Sequence, residues 1–324
     1  MSVRVTLAMP VYNGERYIEE AIRSILAQEF TDFELIITDN ASTDRTEDIC
    51  RRFAATDSRV RYVRNERNLG AARNYNRGFE LANGEYLKWC AHDDLISPNC
   101  IGELARALDE NPKAVLAFPN TECIDESGAP IPLLGEHQLP ETVGLAPAQR
   151  FMIALLQGGM MYSMFGMFRV DMLRKTLLHA PYYSSDRALL AETALLGEFV
   201  RVPGAIFYNR EHGTRSINVN DKMARALWQN GAPAKARAME HWNLLRHLFA
   251  IAGRHPDAAS PPLVRLHLVG YAMRPIQIGR YTMEFLGLVT PGGPTQVRSF
   301  VLRAAAALRP RAKTASNPHT EPSH

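Results

Sequence analysis

The sequence predicts an α/β fold with a mainly parallel central sheet flanked by helices, followed by a helical C-terminal extension. Three observations carry this. Short apolar runs alternate with stretches of helical periodicity from Val3 to Leu108, the βαβ pattern whose right-handed crossovers make neighbouring strands parallel. Three clusters fall where those runs end: Pro10-Val11-Tyr12-Asn13-Gly14, Thr38-Asp39-Asn40-Ala41-Ser42-Thr43-Asp44 and His92-Asp93-Asp94. Ligands bind outside the carboxyl ends of strands in open α/β sheets, so acids gathered there suit a site better than a core. From about residue 221 the composition turns to Ala, Arg and Leu, which predicts the helical extension.

In chain order, Val3 to Met9 reads as a buried strand stopped by Pro10. Asn13 is placed to cap a helix with Ile18, Ala21, Ile22, Ile25 and Leu26 on one face. Phe33 to Thr38 is a second strand. Asp44-Arg45-Thr46-Glu47 has capping-box spacing before a helix carrying Ile49, Cys50 and Phe53. Val60 to Val63 gives a third strand, Leu69 to Leu81 a third helix, and Glu85 to Cys90 a fourth strand that stops at the acidic pair. A helix over Cys100 to Leu108 and a strand over Ala114 to Phe118 continue the pattern. Residues 125–148, rich in Pro and Gly, read as a long loop of the kind that is often functional. A helix over 149–157, a Gly158-Gly159 break and a strand-like Met164 to Phe168 come next. A helix starting near Asp186 and strands over Glu198 to Val202 and Ala205 to Tyr208 complete the first part.

Bulk properties exclude several classes. At 324 residues the chain accommodates one large domain with appendages or two modest ones, and 46% hydrophobic with 22% charged residues is ordinary for a globular protein. A net charge of +3 gives no argument for nucleic acid. Cys50, Cys90, Cys100 and Cys123 have no CxxC spacing and read as reduced, buried thiols of a cytosolic protein. Arg4 and Pro10 interrupt the first apolar run, so no secretory leader is expected. No stretch reaches the roughly 18–20 apolar residues of a membrane span.

The chemistry is narrowed by what is missing. Neither G-x-G-x-x-G nor G-x-x-x-x-G-K-[ST] follows the first strand, so the phosphates of a nucleotide need another holder. Mg²⁺ and Mn²⁺ commonly bind through one or two carboxylates plus substrate phosphates, and Asp93 and Asp94 stand where such an ion is needed. The same pair suits a helix cap or a solvated turn.

The segment Val5 to Leu95 resembles the nucleotide-binding half of family 2 glycosyltransferases, which have the GT-A fold. The resemblance rests on Met9 to Gly14, Asp39 to Asp44, Arg64-Asn65-Glu66-Arg67-Asn68-Leu69-Gly70-Ala71-Ala72-Arg73-Asn74, and Gly84-Glu85-Tyr86-Leu87 leading to His92-Asp93-Asp94. It implies inverting transfer of a sugar from a nucleotide diphosphate donor, usually UDP-linked, with help from a divalent cation, Mn²⁺ or Mg²⁺. It further implies that Pro10, Tyr12, Asn13 and Asn40 line the nucleotide pocket, that Asp39 accepts a hydrogen bond from the base edge, and that Arg73 reaches the nucleotide. Asp93 is implied as the metal ligand closing a D-x-D motif. The usual first acid of that motif falls on Ala91, and Asp94 or His92 is the candidate to compensate.

Ser184-Ser185-Asp186-Arg187 matches the place of the family's general base at a helix start, with Ser185 where a Glu is usual. Asp186 is the implied base, though Ser-Ser-Asp is also good cap chemistry. Arg210-Glu211-His212-Gly213-Thr214-Arg215-Ser216 resembles the family's terminal Arg/His stretch, with His212 as a metal ligand and Arg215 on phosphate.

These expectations divide the chain into a GT-A-like domain over 1–220, a helical region over 221–313 and a disordered tail over 314–324. Within the first, 1–98 is the nucleotide-sugar half and 99–220 the acceptor half. The acceptor is expected to be a glycan or a lipid-linked hydroxyl of bacterial polysaccharide or glycolipid synthesis. Val297 to Lys313 combines apolar residues with Arg298, Arg303, Arg309, Arg311 and Lys313. It suits a basic helix lying at the cytoplasmic face of the inner membrane, or a solvated helix packed on its own domain. Two other classes stay open. One is a catalytically silent nucleotide-sugar-binding module, which Ala91 favours; the other is a nucleotidyltransferase, which would want a basic Gly-rich loop in place of Val11 to Gly14.

Overall fold

The computed structural model describes residues 3–133, 139–156, 161–182, 184–215, 218, 221–231 and 239–289. Strands β1 (Val5–Val11), β2 (Phe33–Asp39), β3 (Val60–Arg64) and β4 (Tyr86–Trp89) alternate with helices α1 (Ile18–Leu26), α2 (Thr46–Thr56) and α3 (Ala71–Glu80). They pair in the order β3-β2-β1-β4, all parallel. The chain moves outward from β1 to β3 and then returns to place β4 on the other side of β1. That reversal opens the crevice at the carboxyl ends of β1 and β4 in which open sheets bind ligands.

The second half extends the sheet with mixed polarity. β5 (Leu95–Ile96), α4 (Cys100–Glu110), β6 (Ala114–Ile124), β7 (Pro130–Ile131), α5 (Pro147–Leu156), a short 3₁₀ turn (Tyr162–Phe165), β8 (Met167–Arg169), α6 (Val170–Leu173), α7 (Ser185–Leu196) and β9 (Glu198–Arg210) follow. β8 runs antiparallel to both β4 and β6, β6 and β9 are parallel, and β5 runs antiparallel on β9. The two runs predicted around 198–208 form one strand of 13 residues. Its register against β6 shifts at Pro119/Asn120, where Pro203-Gly204 interrupts the apolar alternation. The strand-like reading of Met164 and Phe165 is corrected to a 3₁₀ turn. The predicted Gly158-Gly159 break and the Val297–Lys313 segment lie outside the described residues.

Strand alternation divides the core in two. Leu7, Met9 and Tyr86 face α1, α2 and α4, with Ile18, Ile22, Ile25, Phe53 and Leu104 packed on them. Ala8, Leu87 and Trp89 face the other way, onto α5 and α7. Each fully buried Ile or Leu stabilises its helix by about 2 kcal/mol, which explains why α1 holds without the expected cap. The α1 N-cap is Tyr17, with no side-chain bond. α2 likewise starts without the capping box: Asp44 accepts from the Thr46 amide at 3.0 Å, and Glu47 turns to Arg51. Close packing of α3 on β1 needs Gly78, where an added Cβ would stand 2.8 Å from Ala8 Cβ.

The compact unit runs to Arg274 and includes α8 (Lys222–Asn230), α9 (Glu240–Ile251) and α10 (Pro261–Ala272). Asp221 caps α8 by accepting the Ala224 amide at 2.7 Å. Buried Glu192 on α7 receives the Leu177 amide, Arg254 and His255 at 2.8, 3.1 and 2.9 Å, tying the helix that carries Asp186 to the segment after α9. A second unit, from Pro275, contains α11 (Pro275–Val289). Among the described residues no helix is long and apolar enough to cross a membrane.

Candidate active site

The turns after β1 and β2 are bound to each other. Asn13, at φ 52°, donates its amide to Ser42 Oγ at 2.9 Å and accepts the Thr43 amide on its side chain at 2.8 Å. This corrects its expected part as a helix cap. The Gly14 amide donates to Thr46 Oγ1 at 2.8 Å and the Glu15 amide to Asp44 at 3.0 Å. Ala41 has φ 64°, a left-handed backbone that costs a residue with a Cβ about 1 kcal/mol or more. The surrounding bonds hold that strain at the pocket rim.

Asp39 is fully buried at the end of β2. Its Oδ2 accepts from Tyr62 at 2.5 Å and Arg64 at 2.9 Å, while Oδ1 accepts, among the described residues, only the Ser42 amide at 2.9 Å. One oxygen therefore retains acceptor capacity. Asn40 bridges to the next loop: its Nδ2 donates to Asn68 at 2.9 Å and its Oδ1 accepts the Leu69 amide at 2.8 Å. Asn74 extends the net to the Thr38 carbonyl at 2.7 Å and to Asn65 at 2.8 Å. Pro10 is buried beside Thr38 in the β1–β2 register, and Tyr12 is 42% exposed. Arg73, in the first turn of α3, is exposed and makes no hydrogen bond or ion pair among the described residues. Its guanidinium is an uncommitted cation beside these turns among the described residues.

The acidic turn is held by a residue that sequence reasoning gave no role. Arg210, 1% exposed at the end of β9, donates Nε to the Asp93 carbonyl at 2.9 Å and Nη2 to Glu20 on α1 at 2.5 Å. Its Nη1 reaches the Glu126 carbonyl at 3.2 Å, and its backbone amide donates to Asp94 Oδ1 at 2.8 Å. Three other parts of the chain converge on one guanidinium. Two residues on, His212 Nε2 stands 2.9 Å from Asp93 Oδ2, with Nδ1 2.9 Å from Thr214 Oγ1. Tyr17 packs on the imidazole, ring centroids 4.8 Å apart. Burial would raise the Asp93 carboxyl, but His92 and His212 outweigh it and hold the group at about 2. Burial, reinforced by the Asp93 charge, pushes Asp94 well above the ordinary range.

Arg215 is buried, donates to Asn209 Oδ1 at 3.0 Å and is paired with Glu211, so part of its donor set is engaged within its own loop. His92 packs against Gly14, where an added Cβ would lie 2.6 Å from the ring. This fixes the acidic turn against the first one.

Asp186 lies in the first turn of α7, after Ser184 at φ 67°. Its Oδ1 accepts the Arg187 amide at 2.8 Å, and burial raises its pKa. The phenol of the partly buried Tyr75 is raised first by desolvation and then by the charges of Asp93, Asp94 and Asp186. The charges of the acidic turn and of the α7 carboxylate thus act on one phenol, though they are more than ninety residues apart in sequence. Tyr182 is bonded to His247 at 2.7 Å, and the charge of Asp186 adds to the burial that raises its phenol.

Among the described residues no three His, Cys, Asp or Glu side chains form a metal centre on their own. The Asp93–His212 pair nonetheless fits a divalent cation completed by other ligands. Two neighbouring ligand atoms about 2.1 Å from an ion lie about 3 Å apart, which is the Nε2–Oδ2 separation found here. Thr214 at Nδ1 is the outer partner that orients a ligating imidazole.

Residues 6–176, over half of the chain, match the family described as Glycosyl transferase family 2. The chain is 35% identical over 127 residues to glycosyltransferase GlyG of Streptococcus pneumoniae serotype 4, covering 39% of this chain and 42% of that protein. It is 26% identical over 245 residues to an uncharacterized glycosyltransferase of Rickettsia felis, covering 70% and 38%. The matches thus span less than half of these relatives. Among solved structures, S. aureus TarS 1-349 in complex with UDP superposes with TM-score 0.54 at 16% identity, covering 88% of this chain and 91% of that one. Mannosyltransferase PcManGT from Pyrobaculum calidifontis, in complex with GDP-Man and Mn²⁺, gives 0.50 at 18%, covering 88% and 84%. At such identities the structural likeness establishes a GT-A-like fold, and the family follows from the sequence match. The chain belongs to glycosyl transferase family 2.

Proposed function

We propose that the chain moves a sugar from a UDP-linked donor to a glycan or lipid-linked acceptor hydroxyl, by a single displacement with inversion. The observation that carries this is the Asp93–His212 pair, 2.9 Å apart, on an acidic turn whose His92 packs against Gly14 of the β1 turn, with the charge of Asp186 acting on the same Tyr75 phenol as Asp93. The TarS and PcManGT likenesses, to proteins seen with UDP and with GDP-Man and Mn²⁺, support a nucleotide-sugar donor.

In this proposal Pro10 and Tyr12 flank the base, Asp39 Oδ1 accepts its N–H, and Arg73 meets the phosphates. Asn13 and Asn40 shape the pocket by fixing its loops. A divalent cation held by Asp93 and His212 would supply the Lewis acid that offsets charge on the departing diphosphate. Arg210 keeps the acidic turn in register with β9, while Asp94 takes the Arg210 amide. Asp186 removes the proton from the attacking hydroxyl. Its raised pKa brings its basicity closer to the working pH, as a general base requires.

Calorimetric titration with UDP, in Mn²⁺ and then in EDTA, tests the donor half. Binding that needs Mn²⁺ and is lost in Asp93→Ala supports it; binding indifferent to both refutes the metal role. For the acceptor half, Asp186→Asn should bind UDP normally and lose about 10²–10⁴ in turnover of UDP-sugar. Unchanged turnover would remove Asp186 as the base.

A further inference from the structure

The last two helices of the compact unit present an apolar side that nothing else described in that unit covers. α10 buries Val264, Leu268 and Tyr271. At about 100° per residue, Leu263, Leu266, Val269 and Met273 fall on the opposite side, in an arc about 120° wide. They are 45%, 66%, 50% and 66% exposed. Helix spacing places Arg265 along one border of this stripe and Arg274 along the other. Both are exposed, and neither makes a side-chain hydrogen bond or ion pair among the described residues. On α9, Phe249 is exposed together with Arg246. A Cβ on Gly253, one turn beyond Phe249, would lie 3.4 Å from Arg265 Nη2, so this side of α9 adjoins the Arg265 border.

The charge of the chain is distributed to match. Residues 241–324 hold ten Lys and Arg against three Asp and Glu, while residues 1–240 hold 27 against 31. A chain of net +3 is therefore −4 over its first part and +7 over its last. An isologous dimer through the α10 stripe would set acid-free, arginine-bordered surfaces against each other, which like-charge repulsion disfavours. An anionic bilayer complements both features, taking the apolar side chains into the acyl boundary and the arginines to the headgroups. We propose that the Leu263–Leu266–Val269–Met273 face of α10, bordered by Arg265 and Arg274, docks the protein flat on an anionic lipid surface. At 12 residues the helix is about 18 Å long, enough to lie in the interface and too short to cross it.

The test is sedimentation of the full chain with phosphatidylcholine vesicles, with and without phosphatidylglycerol. Binding should require phosphatidylglycerol and weaken as salt rises. Leu266→Glu with Val269→Glu should reduce it at least tenfold, and Arg265→Gln with Arg274→Gln by about fivefold per arginine. Both doubles change exposed positions and should keep the urea midpoint and UDP binding of the parent. No binding to anionic vesicles overturns the proposal. So does binding that survives both doubles and is lost only when Arg309, Arg311 and Lys313 are replaced by Gln. A dimer that the Leu266/Val269 double dissolves, with no lipid binding by the parent, overturns it in favour of a second copy.

Discussion

Replacing Arg210 should damage the site through its scaffold. Arg210→Ala removes the bonds to the Asp93 and Glu126 carbonyls at 2.9 and 3.2 Å, the pair with Glu20, and the cation–π contact 4.9 Å from the Tyr17 ring. The two bonds to carbonyls contribute about 1 kcal/mol each. Glu20 is 60% exposed, so that pair is discounted to about 1 kcal/mol or less. The desolvated cation–π contact adds about 1 kcal/mol. The loss is then about 3–4 kcal/mol, a large part of the roughly 5–15 kcal/mol that holds a domain. In urea, at about 3 kcal/mol per molar, the midpoint should fall by about 1 M. Arg210→Lys keeps a buried charge but lacks the fork and should recover less than half of this. Freed of its clamp, the Asp93 turn should also bind UDP more weakly in Mn²⁺, while its binding in EDTA changes little. An Ala variant within 1 kcal/mol of the parent, with unchanged Mn²⁺-dependent binding, would refute the clamp.

Other substitutions separate the remaining parts. His212→Ala should weaken Mn²⁺-dependent UDP binding by about 10–100-fold, the scale typical of a residue supporting a metal site, in the same titration; no change would leave Asp93 alone at the ion. Gly70→Ala puts a Cβ 2.4 Å from the Asn230 backbone at φ 83°. It should cost more than about 2 kcal/mol in urea unfolding, and a smaller loss would mean that α8 yields easily. For Asp186 the folded pKa is raised, so its ionised form costs stability once pH exceeds the folded value, and that cost vanishes below the unfolded one. Asp186→Asn should thus be more stable than the parent at pH 7, with the gap closing on acidification, while parental turnover falls tenfold per pH unit below the raised pKa. A parent as stable as the Asn variant at both pH values would contradict the buried-carboxylate argument.

The parts of the fold that could be read from sequence are those whose cause is local. β1 to β4 follow from runs such as Leu35-Ile36-Ile37, whose burial on both faces needs no knowledge of partners. The acidic turn could be read because it ends a strand. Cap assignments failed because the competing partners come from elsewhere in the chain: Asn13 meets Thr43, thirty residues away. Arg210 was hidden for the same reason, since its ligands lie 84–190 residues off. Only its place two residues before His212 gave any signal.

Ala91 takes on a different meaning in this setting. A carboxylate at that position would be a third acid in the Ala91–Asp94 turn, where Asp94 is already forced toward protonation by burial and by the charge of Asp93. Each further negative charge raises the cost of keeping the others ionised. His92 and His212 act on Asp93, while Arg215 and Arg210 act on Asp94, and Glu20 already shares the Arg210 charge. Even with these partners the turn sustains one firmly ionised carboxylate, and it is the one facing the imidazole. The missing acid at Ala91 therefore does not by itself argue for a silent module. In the proposed site the cation's second protein ligand comes from the His212 loop, brought to the turn by β9 and fixed there by Arg210.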